Sequence, residues 1–227
     1  MAANFMADFD FSKLDNYTEG GAVKPSPDQY IGELLVASGK YTFNFYERDT
    51  IDYSESDYRF LTGNIYHEKN VLVVLESPHR FEYDEKNNPV GLAMGKTGDN
   101  LFELFTFALN RSCLRLNDGS YNVILTNAIQ YQTSCGLNPI DRKLRDSNWV
   151  DIYDNYGGEE DFRKRIFMIK PRVTFNLCTG GRSLTGLRTK VSNSLIKFGL
   201  KKNRHFAEGN HPVSWNFHGD TSNAIIF

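Results

Sequence analysis

The sequence has few cysteines, no long hydrophobic run and no basic leader. Its three cysteines, Cys113, Cys135 and Cys178, are widely spaced and form no CxxC pair. This scarcity argues against a disulfide framework and against a cysteine-rich metal cluster. The longest apolar stretches are only as long as a strand, and the acidic start MAANFMADFDFSKLD lacks the regions of a secretory signal. We therefore expect a cytoplasmic protein with no membrane partner.

The composition is typical of one folded domain. Hydrophobic residues make up 40% of the 227 residues, aromatic residues 14% and charged residues 24%. Disordered chains contain few aromatics, and membrane chains contain long uncharged runs. A chain of this length can form one α/β domain with an extended terminus, and we expect a monomer.

The charges are unevenly distributed along the chain. Residues 1–113 carry a net charge of −8, whereas residues 114–227 carry +6. A polyanionic partner such as DNA would contact the basic second half. Alternatively, these basic side chains only cover solvated helix faces.

Apolar strand patterns alternate with helical patterns after residue 65. The strand patterns span 70–76, 121–128 and 172–178, and the helical patterns span 95–110, 157–171 and 183–199. Continuous apolar strands separated by helices are typical of a parallel sheet covered on both faces. We therefore predict an α/β core over residues 66–227, with three α-β-α layers and a central, mainly parallel four-stranded sheet.

The first 65 residues are predicted to be a helical or irregular elaboration of this core. Ser26 as an N-cap, Pro27 in the first turn and Gly39 after the last turn predict one helix there. Residues 40–62 mix aromatic and acidic residues without a clear period, so they receive no assignment.

Polar residues lie at the carboxyl end of each predicted strand. Glu76 lies at the end of the first strand, Asn127 at the end of the second, and Thr179 directly after the third. Ligands bind at the carboxyl ends of parallel strands, so we expect these residues to converge on one edge. Partial burial would raise the pKa of Glu76 and suit it to act as a general base, unless it caps a helix or pairs with Arg80 or Lys96.

Two familiar ligand motifs are absent. GLAMGKT is one residue shorter than the nucleoside-triphosphate loop GxxxxGKT and does not directly follow a strand. His205, His211 and His218 match no zinc spacing. We therefore expect no cofactor and no metal.

Five short motifs occur in a fixed order over residues 70–216. They are ESPH after the first strand, GLAMGKTGDNL at a helix start, TNAIQ after the second strand, MIKPRVTFNLCTGG around the third strand, and GNHPVS. In this order the chain resembles the uracil-DNA glycosylase superfamily. The resemblance implies a DNA-repair enzyme that flips a uracil or another noncanonical base and hydrolyses its N-glycosidic bond.

The same resemblance implies a set of site residues. The catalytic positions fall at Glu76 and His211, the base-binding positions at Asn127, Ser77, Phe81 and Tyr83, and the DNA-backbone contacts at Ser214, Lys96 and Gly95. In this scheme a donor from His211 acts where negative charge develops on the leaving base.

The chain also departs from the family motifs. Leu75 and His79 flank the first motif where the family has other residues, and Val213 separates the His-Pro pair from the following serine. Two alternatives therefore stay open. One is a non-catalytic nucleotide- or DNA-binding module that retains the pocket, and the other is a hydrolase of small nucleotides or amides that uses Glu76 and His211.

Overall fold

The computed structural model describes residues 25–45, 69–86, 88–133, 142–179 and 186–215. Within these ranges six strands form one sheet, and four helices pack against it. The strands are β1 (Gln29–Ala37), β2 (Lys40–Phe45), β3 (Asn70–Leu75), β4 (Gly119–Asn127), β5 (Val173–Asn176) and β6 (Phe206–Glu208). The helices are α1 (Lys96–Arg111), α2 (Arg142–Asn155), α3 (Gly158–Ile169) and α4 (Leu187–Lys197), and 3-10 turns span Arg80–Glu82 and Pro212–Ser214.

The sheet is mixed. Its strand order is β2-β1-β4-β3-β5-β6, in which β4, β3, β5 and β6 run parallel and β1 is antiparallel to both β2 and β4. The α/β class is confirmed, but the predicted four-stranded sheet is wrong because the β1–β2 hairpin extends it along β4. The division at residue 65 stays a prediction, since most of that segment lies outside the described ranges.

The helix predicted over residues 26–39 is wrong, because this segment forms most of the hairpin. Ser38 and Gly39 both have positive φ angles, 50° and 73°, and make the two-residue turn that joins β1 to β2. Gly32 marks a close approach within the hairpin, since a Cβ atom there would lie 2.3 Å from the carbonyl oxygen of Asn44. The glycine interpreted as a helix stop is therefore a turn residue.

The side chains of β3 alternate between two hydrophobic clusters. Val71, Val73 and Leu75 pack with the apolar side of α1, whereas Leu72 and Val74 pack with α2, α3 and α4. Helices therefore cover both faces of the sheet. A strand buried on both faces needs apolar residues at every position, which explains the uninterrupted run in the sequence.

Most of the local predictions after residue 65 are confirmed. The three predicted strands correspond to β3, β4 and β5, and the three predicted helices correspond to α1, α3 and α4. Helix α2 lies in a segment for which the sequence patterns predict no element. No helix in the described ranges is both long enough and apolar enough to cross a membrane.

A buried arginine joins the start of β1 to the rest of the sheet. The Nη1 atom of Arg165 on α3 donates to Asp28 at 2.9 Å and to the Thr126 hydroxyl at 2.6 Å. Its Nη2 atom donates to the carbonyl of Ala128, and its Nε atom donates to Asp161 at 2.9 Å. Two carboxylates and two further acceptors thus compensate one buried cation.

Candidate functional site

The main chain of Glu76 is fixed at the carboxyl end of β3. Its carbonyl oxygen accepts a hydrogen bond from the Ile129 amide at 3.1 Å and one from the Trp149 indole at 2.7 Å. The residue is 6% exposed. The segment after β4 and helix α2 thus hold the main chain of Glu76 in place.

The Glu76 carboxylate has partners from three other parts of the chain. Thr179, after β5, donates to it through its backbone amide at 3.1 Å and through its hydroxyl. The Nε2 atom of His211, after β6, lies 3.4 Å from Oε2, and the Nη1 atom of Arg145 on α2 lies 3.7 Å from Oε1. The strand ends therefore bring Glu76, Thr179 and His211 together.

These partners reverse the effect of burial on Glu76. Burial alone would raise the pKa of Glu76, but His211, Arg145 and the Thr179 hydroxyl together hold that pKa below its ordinary value. The predicted raised pKa is therefore wrong, and so are the suggested pairings with Arg80 and Lys96. An ionised carboxylate at neutral pH is better suited to face a cation or to hold a water molecule than to take up a proton.

The loop that carries His211 is anchored to α1. The Asn100 side chain donates to the carbonyl of Pro212 at 2.6 Å and to that of Trp215 at 3.1 Å. The Nδ1 atom of His211 accepts from the Val213 amide at 3.2 Å. In a neutral imidazole the proton must then lie on Nε2, the atom that faces the carboxylate.

Asn127, at the end of β4, is buried, and its side chain lies against the carboxyl group of Glu82. The residue is 1% exposed, and neither its amide nitrogen nor its amide oxygen makes a hydrogen bond of acceptable geometry in the described residues. An unpaired buried polar group costs on the order of 1 to 3 kcal/mol. The amide therefore has one donor and one acceptor to offer a ligand.

Glu82 lies beside Asn127 and was not predicted as a site residue. It is 3% exposed, and its Oε2 atom has no hydrogen-bond partner in the described part of the chain. Burial raises the pKa of Glu82 to about 8, although the backbone amides of His79 and Ala93 and the Asn127 side chain oppose that shift. The nearby Glu76 carboxylate adds to the shift.

The other predicted base-binding residues lie in different environments. The Ser77 hydroxyl shares a hydrogen bond of 2.9 Å with the hydroxyl of Thr133. Tyr83 belongs to the hydrophobic core, with its hydroxyl 3.5 Å from the carbonyl of Gln130. Phe81 is 70% exposed, so of the two aromatic candidates it is the accessible one.

The residues predicted to contact a DNA backbone lie on the surface around the start of α1. Gly95 and Lys96 are exposed at that helix terminus, and the Cδ2 atom of Phe81 lies 3.9 Å from the position of a Cβ atom at Gly95. Ser214 is also exposed, and its hydroxyl donates to the carbonyl of His211 at 2.7 Å. The 3-10 turn that contains Ser214 packs against α1.

Sequence reasoning missed three parts of the site for different reasons. Arg145 was noticed only as one of many basic residues, because its helix was not predicted. Thr179 was placed at the sheet edge, but no role followed from its position. Glu82 stands in a polar stretch with no pattern to distinguish it. Among the described residues, no group of three His, Cys, Asp or Glu side chains is arranged to hold a metal ion.

Comparison with known proteins identifies no relative. No protein-family model, no curated protein and no solved structure matches the chain. The function is therefore inferred from the contacts of the site and from the motif order in the sequence.

Proposed function

We propose that the protein binds DNA, extrudes a uracil or another noncanonical or modified base, and hydrolyses its N-glycosidic bond. The observation that carries this proposal is the 3.4 Å contact between Glu76 and His211 at the sheet edge that also holds the unpartnered amide of Asn127. Helices on both faces of four neighbouring parallel strands support a three-layer core of the uracil-DNA glycosylase type.

Asn127 has the role of recognising the extruded base. A carboxamide presents a donor and an acceptor side by side, which matches two adjacent polar atoms on the edge of a nucleobase. Because the amide is buried, its hydrogen bonds to a ligand would form away from competing water. Phe81, exposed next to the start of α1, supplies a ring on which a base can stack.

Glu76 and His211 act on the two sides of the bond that breaks. As the bond lengthens, positive charge grows on the sugar and negative charge on the base. The ionised carboxylate of Glu76 stabilises the sugar cation or orients the attacking water, and the Nε2 proton of His211 is donated toward the base. Arg145 and Thr179 keep the carboxylate ionised and oriented.

Base release from defined oligonucleotides tests the proposal. Single- and double-stranded substrates that each contain uracil, another deaminated base or a hypermodified base are incubated with the protein, and abasic sites are detected by alkaline cleavage. We expect release of at least one base and a loss of about 10- to 100-fold in Asn127→Ala, since one bidentate contact contributes about 1 to 3 kcal/mol.

Asn110→Ala is the matched control for this experiment. Asn110 is an exposed asparagine of α1 whose amide donates to the carbonyl of Thr106 within the same helix. It should leave base release unchanged. Absence of release from every substrate, with Asn127→Ala and wild type equal, would contradict the proposal.

A second candidate is a non-catalytic module that binds nucleotides or DNA in the same pocket. It is favoured by the Glu76 carboxylate, whose two oxygens already have partners in Thr179, His211 and Arg145. Binding of an oligonucleotide that contains the recognised base, without any cleavage of the glycosidic bond, would distinguish this module from the enzyme.

A further inference from the structure

Three buried polar atoms that make no hydrogen bond of acceptable geometry within the described residues lie in one small region. They are the amide nitrogen and oxygen of Asn127 and the Oε2 atom of Glu82. These atoms belong to residues on different elements, the end of β4 and a 3-10 turn, and each would cost on the order of 1 to 3 kcal/mol if nothing satisfied it. The cluster therefore points to a ligand that supplies several hydrogen bonds at once.

We propose that Glu82, in its uncharged acid form, is a specificity-determining hydrogen-bond donor to the heterocycle that Asn127 binds. The inference rests on the proposed function and adds a residue to the recognition site. It also commits to a ligand class, since an acid hydroxyl at this position favours a carbonyl oxygen over an amino group on the bound edge.

The contacts of Glu82 determine which of its oxygens carries the proton. Backbone amides of His79 and Ala93 donate to the carboxyl group, and an oxygen that accepts such bonds is a poor site for a proton. Oε2 lacks a partner, so the acid proton belongs there. Burial favours the acid form at neutral pH, because it raises the pKa of Glu82 to about 8.

Other charged and titratable groups near Glu82 also contribute to the pH dependence of ligand binding. Glu76 lies close enough to oppose ionisation of Glu82. His79 is on the same turn, while Arg145 and His211 approach Glu76 from α2 and from the loop after β6. A substitution confined to Glu82 leaves all four of these groups in place, so it separates the titration of Glu82 from theirs.

The experiment compares two oligonucleotide probes that differ at the edge of the base that Glu82 would contact. One is an oligonucleotide with a single 2′-fluoroarabino-uridine, and the other has 2′-fluoroarabino-cytidine, in which an amino group replaces the carbonyl. The fluorine suppresses cleavage because it destabilises the sugar cation, so only binding is measured. Affinities are determined for wild type, Glu82→Gln and Glu82→Ala at about pH 6.5 and about pH 9, on either side of the Glu82 pKa.

The expected pattern depends on whether residue 82 can donate. Wild type should prefer the carbonyl probe by about 10-fold or more at the lower pH and lose most of that preference at the higher pH. Glu82→Gln, which keeps a donor and has no charge, should retain the preference at both pH values. Glu82→Ala should lack it at both.

An infrared titration of the free protein measures the protonation of Glu82 independently of ligand binding. The carbonyl band of a neutral carboxylic acid should disappear with a midpoint near pH 8 in wild type and should be missing in Glu82→Gln. A wild-type preference that does not change with pH, or one that survives in Glu82→Ala, overturns this inference and leaves the proposed function standing. Failure of wild type to bind either probe overturns both.

Discussion

Glu76 and Glu82 are both buried carboxyl groups near the carboxyl end of β3, yet their pKa values are shifted in opposite directions. Around Glu76, a histidine, an arginine and a threonine approach the carboxylate from three other elements. Around Glu82, backbone amides and the Asn127 side chain approach the carboxyl group, and no ion pair to it forms within the described ranges. Because both groups are buried, the charges of the neighbouring side chains decide which of the two carboxyl groups is ionised at neutral pH.

The two groups consequently affect stability with opposite signs. The lowered pKa of Glu76 contributes stability above the ordinary value of 4.5, and this contribution is lost as the pH falls through the folded-state pKa. For Glu82, the folded protein keeps its proton up to about pH 8 while the unfolded chain releases it near 4.5. Its burial therefore costs progressively more stability as the pH rises across that window.

Replacing Glu76 by glutamine should have the largest effect on activity. Glu76→Gln keeps an acceptor oxygen for the Thr179 amide but removes the negative charge that faces the sugar cation. We expect base release to fall by about 100- to 1000-fold, which corresponds to roughly 3 to 4 kcal/mol of transition-state stabilisation. Single-turnover kinetics on the best substrate measure this loss.

Glu103→Gln is the control for that change, since Glu103 is an exposed glutamate of α1. It should leave the rate unchanged. If Glu76→Gln retained full activity with a normally folded protein, the negative charge of Glu76 would have no part in catalysis.

Replacing Glu82 by glutamine should increase stability progressively as the pH rises above about 4.5. Glutamine mimics the neutral acid and carries no charge that has to be buried. We expect Glu82→Gln to raise the free energy of unfolding by on the order of 3 kcal/mol at about pH 8 and to change it little at about pH 4. Urea denaturation at both pH values, with the exposed Glu85→Gln as control, measures the difference; a gain that is equal at both would show that Glu82 is not held neutral.

Removing the anchor of the His211 loop should affect the Glu76 region alone. Asn100→Ala deletes the hydrogen bonds to the carbonyls of Pro212 and Trp215. We expect a loss of about 1 to 2 kcal/mol in the free energy of unfolding and a lower rate of base release, because His211 is no longer positioned. The infrared midpoint of Glu82 should stay near pH 8, and a shifted midpoint would mean that the two regions are coupled.

A change at Thr179 should have the smallest effect. Thr179→Val removes the hydroxyl donor but keeps the shape and the backbone amide, whereas Thr179→Ser keeps the donor. We expect the pKa of Glu76 to rise toward its ordinary value in the valine variant only, with a loss of about 1 kcal/mol near neutral pH. Carboxyl titration by NMR compares the two variants, and equal values would exclude a role for the hydroxyl.

The parts of the fold that the sequence predicted depend on local patterns. The uninterrupted apolar run of β3 identifies a strand that is buried on both faces. The amphipathic pattern of α1 identifies a helix that is buried on one side. The hairpin escaped prediction because Ser26, Pro27 and Gly39 fit helix termini as well as they fit the ends of strands. Its actual state depends on pairing with β4, which a local pattern does not reveal.

The predictable part of the site is the part that lies at strand ends. Glu76, Asn127 and Thr179 lie at the ends of predicted strands or directly after them, so topology alone places them on one edge. The lowered pKa of Glu76 depends on His211, then on Arg145 and the Thr179 hydroxyl, and their approach to one carboxylate could not be predicted because Arg145 belongs to an unrecognised helix. The raised pKa of Glu82 depends on its burial and on the nearby Glu76 carboxylate, which only the folded arrangement reveals.

The buried link between Asp28 and Arg165 sets an order of events during synthesis. The two residues are separated by 137 positions, so at typical rates of translation Arg165 is made roughly ten seconds after Asp28. Strand β4 ends at Asn127 and is made before Arg165, whereas Asp28 pairs with its cation only after α3 has been made. The start of the first described strand is therefore fixed only after four of the six described strands have been synthesised, and the edge of β1 that pairs with β4 is open to other chains until β4 is made.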